Sequence, residues 1–220
     1  MNMHLKYWAS FIVLALCCNI EFLSAQSTNT ETDLSDPLVH LEYYKNSPLI
    51  IRLNMKQNTL NAYKRQMDIA TSVENKTSFE ENYEELKKER AYYKKCIVSA
   101  FKEHYDISSV YFIHDHDYKD FKSGKLGLLF DSEEKEVYLD PDAQYFLLVQ
   151  GENDLHWIVN SSVGIKFPNA FPREYKPGFK RVLNFITSQK DVNQEDMDKV
   201  AMVMTERFEK YEFKLKKKRK

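Results

Sequence analysis

Apolar positions recur along this chain with two different periods, and the change from one to the other divides it. From Met55 onward Leu60, Tyr63, Met67 and Ala70 return at three- and four-residue spacing, which marks one face of a helix. Residues 75–78 interrupt the pattern. Ser78 followed by Glu81 has the form of a capping box, in which the hydroxyl accepts a first-turn amide and the carboxylate reaches back. Behind it Phe79, Tyr83, Leu86, Tyr93, Ile97 and Phe101 make an apolar stripe to about His104. Glu84, Lys87, Lys88, Lys94 and Lys95 occupy the opposite face. Two such segments in succession predict a helical hairpin over 55–105.

The period then becomes strand-like. Short runs rich in apolar, β-branched and aromatic residues predict strands over 110–113, 126–130, 136–139, 145–149 and 156–159, with 163–167 a sixth candidate. Turn-forming residues separate them, and the gaps are short and carry no helical pattern, which predicts antiparallel neighbours. Beyond the aromatic-proline loop 167–172, Pro177 suits the first turn of a helix that buries Phe179, Val182, Leu183 and Ile186. Asn193 suits the cap of a last helix with Val200, Met204, Phe208 and Tyr211 inward. The expected fold is a single α+β domain over 38–213: helical 55–105, an antiparallel sheet of about five or six strands in 108–167, and two C-terminal helices in 177–213. Ahead of the first helix, Leu49, Ile50, Ile51 and Leu53 fit a short strand or the approach to a helix, and the period does not choose.

The first 25 residues follow neither pattern. Lys6 gives a basic start, residues 11–18 are an unbroken apolar run, and Leu23, Ser24 and Ala25 offer a small-residue exit. This is the layout of a secretory signal peptide, and the apolar run is too short for a stable membrane span. Residues 26–37 are polar and read as a flexible linker. The expected location is therefore secreted or periplasmic. Lipidation at Cys17 is the rival processing route, and Leu16 before it fits that route poorly.

Composition changes the picture in two places. Of the three cysteines, Cys17 and Cys18 lie in the leader, so the processed chain keeps only Cys96. A disulfide framework and a cysteine-based zinc site are both excluded for it. The formal charge of −1 hides an uneven distribution. The tail 214–220 holds six basic residues; without them the 32 basic residues fall to 26 against 33 acidic, about −7 for the rest. An acidic body with a basic tail is unlike a nucleic-acid-binding fold, so no nucleic-acid partner is expected. The tail itself suits weak contact with an anionic envelope or membrane surface.

Candidate chemistry centres on His114-Asp115-His116-Asp117 at the end of a predicted strand. Residues i and i+2 share a strand face, so both imidazoles can point at one metal ion. Asp120 lies just beyond and His156 on a later strand, a nitrogen and oxygen donor set suited to Zn, Fe or Mn. The His-x-His pattern occurs in several metal families. The metallo-β-lactamase pattern needs Asp and His where this chain has Tyr118 and Lys119, and the amidohydrolase barrel needs eight βα units. The cupin pattern resembles the chain most: His114, His116, Asp120 and Gly127 have the spacing of its first half, and His156 with Asn160 that of its second. Ser108 stands where cupins carry Gly, Asp120 where they carry Glu, and the second Pro-x-Gly turn is missing. That resemblance implies a small metal-dependent enzyme.

The favoured reading of the same residues is a polar strand end, with no cofactor. Gly-x-Ser-x-Gly, Walker and Gly-x-Gly-x-x-Gly motifs are absent. Cys96 sits on the helical stripe without a visible base and reads as a core residue. No functional family is recognised. The expectation is a secreted or periplasmic binding or accessory protein whose partner is a protein or small ligand, with the metal-dependent enzyme as its rival.

Overall fold

The computed structural model describes residues 36–140, 142–151, 156–162, 166–175 and 193–218, all within the unit Leu34–Lys220. The leader, most of the linker and the helix expected from Pro177 lie outside the described residues. The linker's last two positions already cap and open a helix. Asp36 accepts the amide of Leu38 at 2.8 Å and Pro37 opens α1 (Pro37–Asn46), as suits a side-chain cap followed by a pre-set φ.

Leu49–Leu53 is strand β1, the centre of a seven-stranded sheet. It is followed by α2 (Gln57–Ile69), α3 (Val73–His104) and β2 (Val110–His114). A five-residue helix, α4 (Tyr118–Lys122), leads to the pair β3 (Leu129–Phe130) and β4 (Glu136–Val137). β5 (Phe146–Gln150), β6 (Trp157–Ser161), β7 (Glu174–Tyr175) and α5 (Gln194–Lys218) complete the order. The spatial order is β4-β3-β2-β1-β5-β6-β7.

The sheet is mixed, and this corrects the expectation of an antiparallel sheet of five or six strands. β1 runs parallel to both β2 and β5, while the four outer pairings are antiparallel. The reason lies in the connections. The helical hairpin α2–α3 is long enough to return the chain for a parallel pairing, and α4 with the β3–β4 hairpin carries it back across to β5. The central strand β1 is buried on both faces: Leu49, Ile50, Ile51 and Leu53 are each 0% exposed, as expected for an interior parallel strand. Residues 163–165 of the sixth candidate strand lie outside the described residues, and Lys166 and Phe167 belong to no strand.

One face of the sheet carries most of the core. Leu49, Ile51, Leu53, Phe112, Phe146 and Leu148 meet Tyr93, Ile97 and Phe101 of α3 and Met204, Phe208 and Tyr211 of α5. Burial of each such side chain is worth about 1.5–3 kcal/mol. Phe167 and Phe171 plug this face: their rings stand 4.9 Å apart, and Phe171 contacts Tyr44, Phe208 and Tyr211. The opposite face is thinner, with Ile50, Ile113 and Leu147 under Phe121 of α4 and Tyr145. No described helix is long and apolar enough to cross a membrane.

Candidate functional site

β1, β2 and β5 are parallel, so their carboxyl ends emerge at one rim of the sheet. From β1 the chain leaves through α2 and α3 toward β2, whereas from β5 it continues to β6 on the other side. Adjacent strands whose connections diverge leave a crevice at their carboxyl ends, the usual ligand position in open sheets with parallel strands. Here the crevice measures about 180 Å³ and is lined by Arg52, Asn54, Asp115, Val149 and Gln150.

Its walls are fixed by backbone bonds. Asp115 donates its amide to Leu53 O at 2.9 Å and accepts the Met55 amide on Oδ1 at 3.1 Å, joining the ends of β1 and β2. Asn54 Oδ1 accepts the amide of Lys56 at 3.1 Å, across a residue in the left-handed region (Lys56, φ 49°). From α3 the buried Arg90 reaches back to Asn54 O at 3.4 Å. It also pairs with Glu89 and lies 4.6 Å from the Tyr93 ring centroid. Arg52 is half-buried and 5.3 Å from the Tyr118 ring centroid. Among the described residues no carboxylate lies within ion-pairing distance of Arg52. None of these crevice residues except Asp115 stood out in the sequence, because three strands far apart in the chain contribute them.

The histidine pair sits at the same rim. His114 ends β2, and a tight turn follows in which Asp117 donates its amide to His114 O at 3.0 Å. The turn folds His116 over His114, with ring centroids 5.4 Å apart and planes within 16°. It also brings Asp117 to both: its Oδ2 is 3.5 Å from His114 Nδ1 and 3.5 Å from His116 Nε2. The three residues each present a donor atom, and these atoms lie within 4.8 Å of one another. Asp115 Oδ1 stands 3.6 Å from His116 Nδ1. Burial, then the charges of Lys94 and His116, hold His114 below the usual imidazole range, against an opposing pull from Asp117.

The other two candidate ligands stand elsewhere. Asp120 lies on α4, outward, and pairs with Lys125 at 3.2 Å. His156 precedes β6, buried, with Nε2 3.0 Å from Glu174 Oε1. β1 and β5 lie between it and β2, and three strand spacings of about 4.8 Å put it roughly 14 Å from His114. Gly151 is needed beside it, since a Cβ there would stand 2.4 Å from His156 Nδ1. The group that forms is therefore His114, His116 and Asp117. The i+3 turn spacing from His114 to Asp117 was the sequence signal for the third member.

Cys96 is fully buried on α3, and burial pushes its thiol up, which suppresses the thiolate a nucleophile needs. No protein-family model matches the chain, and neither does any curated protein or solved structure.

Proposed function

We propose that this is an exported, secreted or periplasmic, binding protein that holds a small polar ligand at the carboxyl rim of β1, β2 and β5. The observation that carries the reading is the Arg52 guanidinium, half-buried in a crevice at the divergence point of the sheet with no carboxylate partner among the described residues. A guanidinium so placed offers paired donors to an anionic group. Asn54 and Gln150 supply neutral hydrogen-bonding groups around it. A crevice of about 180 Å³ suits a small acid or the anionic end of a larger partner; drug-sized ligands occupy about 300–1,000 Å³.

Binding is favoured over catalysis by the chemistry of the lining. Guanidinium and amide groups recognise without exchanging protons near neutrality. The one carboxylate, Asp115, already spends an oxygen on the Met55 amide. Export rests on the leader 1–25, and a mature N-terminus at Gln26, read by mass spectrometry of the exported protein, is its check.

The ligand reading is tested with succinate as probe. Amide NMR shifts should move at Asn54, Asp115 and Gln150, and saturation at about 100 Kd should add about 2.7 kcal/mol of stability. Arg52→Ala should remove both responses while leaving the urea midpoint without ligand nearly unchanged. Shifts scattered away from the rim, or a full response in Arg52→Ala, would show that the crevice is not the binding site.

A further inference from the structure

We infer that His114, His116 and Asp117 form a mononuclear site for a divalent cation of the zinc class. The inference does not require a ligand in the crevice, since none of the three lines it, although Asp115 borders both.

Four observations carry it. The first is spacing. Ligand atoms on a tetrahedron with metal bonds of about 2.1 Å stand about 3.4 Å apart. Asp117 Oδ2 lies 3.5 Å from a ring nitrogen of each histidine. Two of the three edges are thus in place, and all three donor atoms fit within 4.8 Å. His116, the most exposed of the three, is free to close the remaining edge.

The second observation is orientation from behind. Asp115 Oδ1 faces His116 Nδ1 at 3.6 Å while Nε2 faces Asp117. A carboxylate behind a ligating imidazole helps orient the ring. Asp115 is itself anchored by the Met55 amide, so this support is tied to the backbone of the rim.

The third is the stacking of the two rings: His114 and His116 lie 5.4 Å apart between centroids with planes within 16°, so the turn presents both imidazoles together on one side of the rim.

The fourth is charge balance. The groups facing the cluster are Asp115, Asp117 and, from α3, Lys94. Lys94 is engaged: its Nζ pairs with Glu134 at 3.1 Å and lies 4.5 Å from the Phe130 ring centroid. With Lys94 neutralised by Glu134, the two aspartates match a dication. Two imidazoles and one carboxylate suit Zn²⁺, Co²⁺ or Ni²⁺ better than the oxygen-seeking Mg²⁺ or Ca²⁺.

The test uses the untagged full-length protein with Zn²⁺ by calorimetry and Co²⁺ by visible absorption. One equivalent should bind saturably, and Co²⁺ should give the intense d–d bands of a four-coordinate nitrogen and oxygen site. His116→Ala and Asp117→Asn should each weaken Zn²⁺ by on the order of 100-fold or more. Asp115→Asn should cost roughly 10–100-fold, as loss of an outer partner does. His104→Ala, on a different surface, should change nothing. Far-UV circular dichroism should show that the variants at these turn positions stay folded. Retention of wild-type Zn²⁺ binding in His116→Ala would assign the metal to other donors, such as Cys17 and Cys18, and overturn the inference. So would the absence of saturable binding to the folded wild type.

Discussion

His40 is a polar side chain in apolar surroundings. It sits on α1, fully buried, among Phe171, Phe167 and Phe146 at ring distances of 4.8, 5.4 and 6.2 Å. Neither ring nitrogen finds a hydrogen-bond partner. Burial lowers its pKa to about 4. In the unfolded chain the same group titrates near ~6.5. Between those values the unfolded state binds the proton and the folded state does not, so stability rises with pH. The contribution is complete above about pH 6.5 and fades as pH falls toward 4. Between pH 7 and pH 4.5 the loss from this one residue should be about 2–3 kcal/mol. His40→Leu removes the titration, so its urea stability should fall by that much less over the same range. Parallel wild-type and variant profiles would mean that the unfolded and folded His40 share a pKa. Its apolar neighbours Val39 and Leu41 leave such a burial invisible in the sequence, because it depends on Phe167 and Phe171 returning from far along the chain.

The helices were legible from their period, and their ends less so. α3 begins at Val73, not at the Ser78 box: Ser72 Oγ accepts the Asn75 amide at 3.2 Å, and Ser78 lies inside the helix with its carbonyl bonded to Asn82 Nδ2. Starting at Ser72 gains about one and a half turns of helical hydrogen bonds that a cap at Ser78 forgoes. Ser72→Ala should therefore cost about 0.5–1 kcal/mol in urea melts. Ser78→Ala should be neutral or slightly stabilising, since Ala favours a helix interior. A cost at Ser78 equal to that at Ser72 would reinstate the box. The apolar stripe also divides. Leu86 is only half-buried, whereas Phe101 is 1% exposed, so the core-sized loss of about 3–5 kcal/mol belongs to Phe101→Ala. Strand positions were readable for β2, β5 and β6, whose runs are five residues of apolar and aromatic character. β3, β4 and β7 are two residues each, and β7 carries no period at all. Direction was the harder quantity, because parallel pairing follows from where long connections return. The uninterrupted apolar run of β1 is the one local sign of it.

At the scale of the whole molecule, the sheet sets both candidate sites on one rim, and the sequence showed only the half of that rim that is local. His114 and His116 are two residues apart and were visible; Arg52, Asn54 and Gln150 meet Asp115 only after the sheet forms. Charge distribution, by contrast, is readable without the fold, and the structure adds where the basic end projects. α5 runs through Lys218, with Phe213 68% exposed and Lys214, Lys217 and Lys218 in solvent. At helical spacing Lys210, Phe213, Lys214 and Lys217 share one face, a basic strip with an aromatic anchor. Each such cation gains about 1 kcal/mol at an anionic lipid surface, and the remaining body, at about −7, is repelled by it. The attraction is thus local and small, and it weakens as the Debye length shrinks from ~30 Å at about 0.01 M salt to ~8 Å at about 0.15 M. The full chain should sediment with phosphatidylglycerol-containing vesicles at the lower salt and largely detach at the higher. Removal of residues 214–220 should abolish sedimentation at both, and Phe213→Ala should weaken it without changing its salt dependence. Equal sedimentation of intact and truncated chains would place any membrane contact elsewhere on the molecule and leave the tail as a solvated helix end.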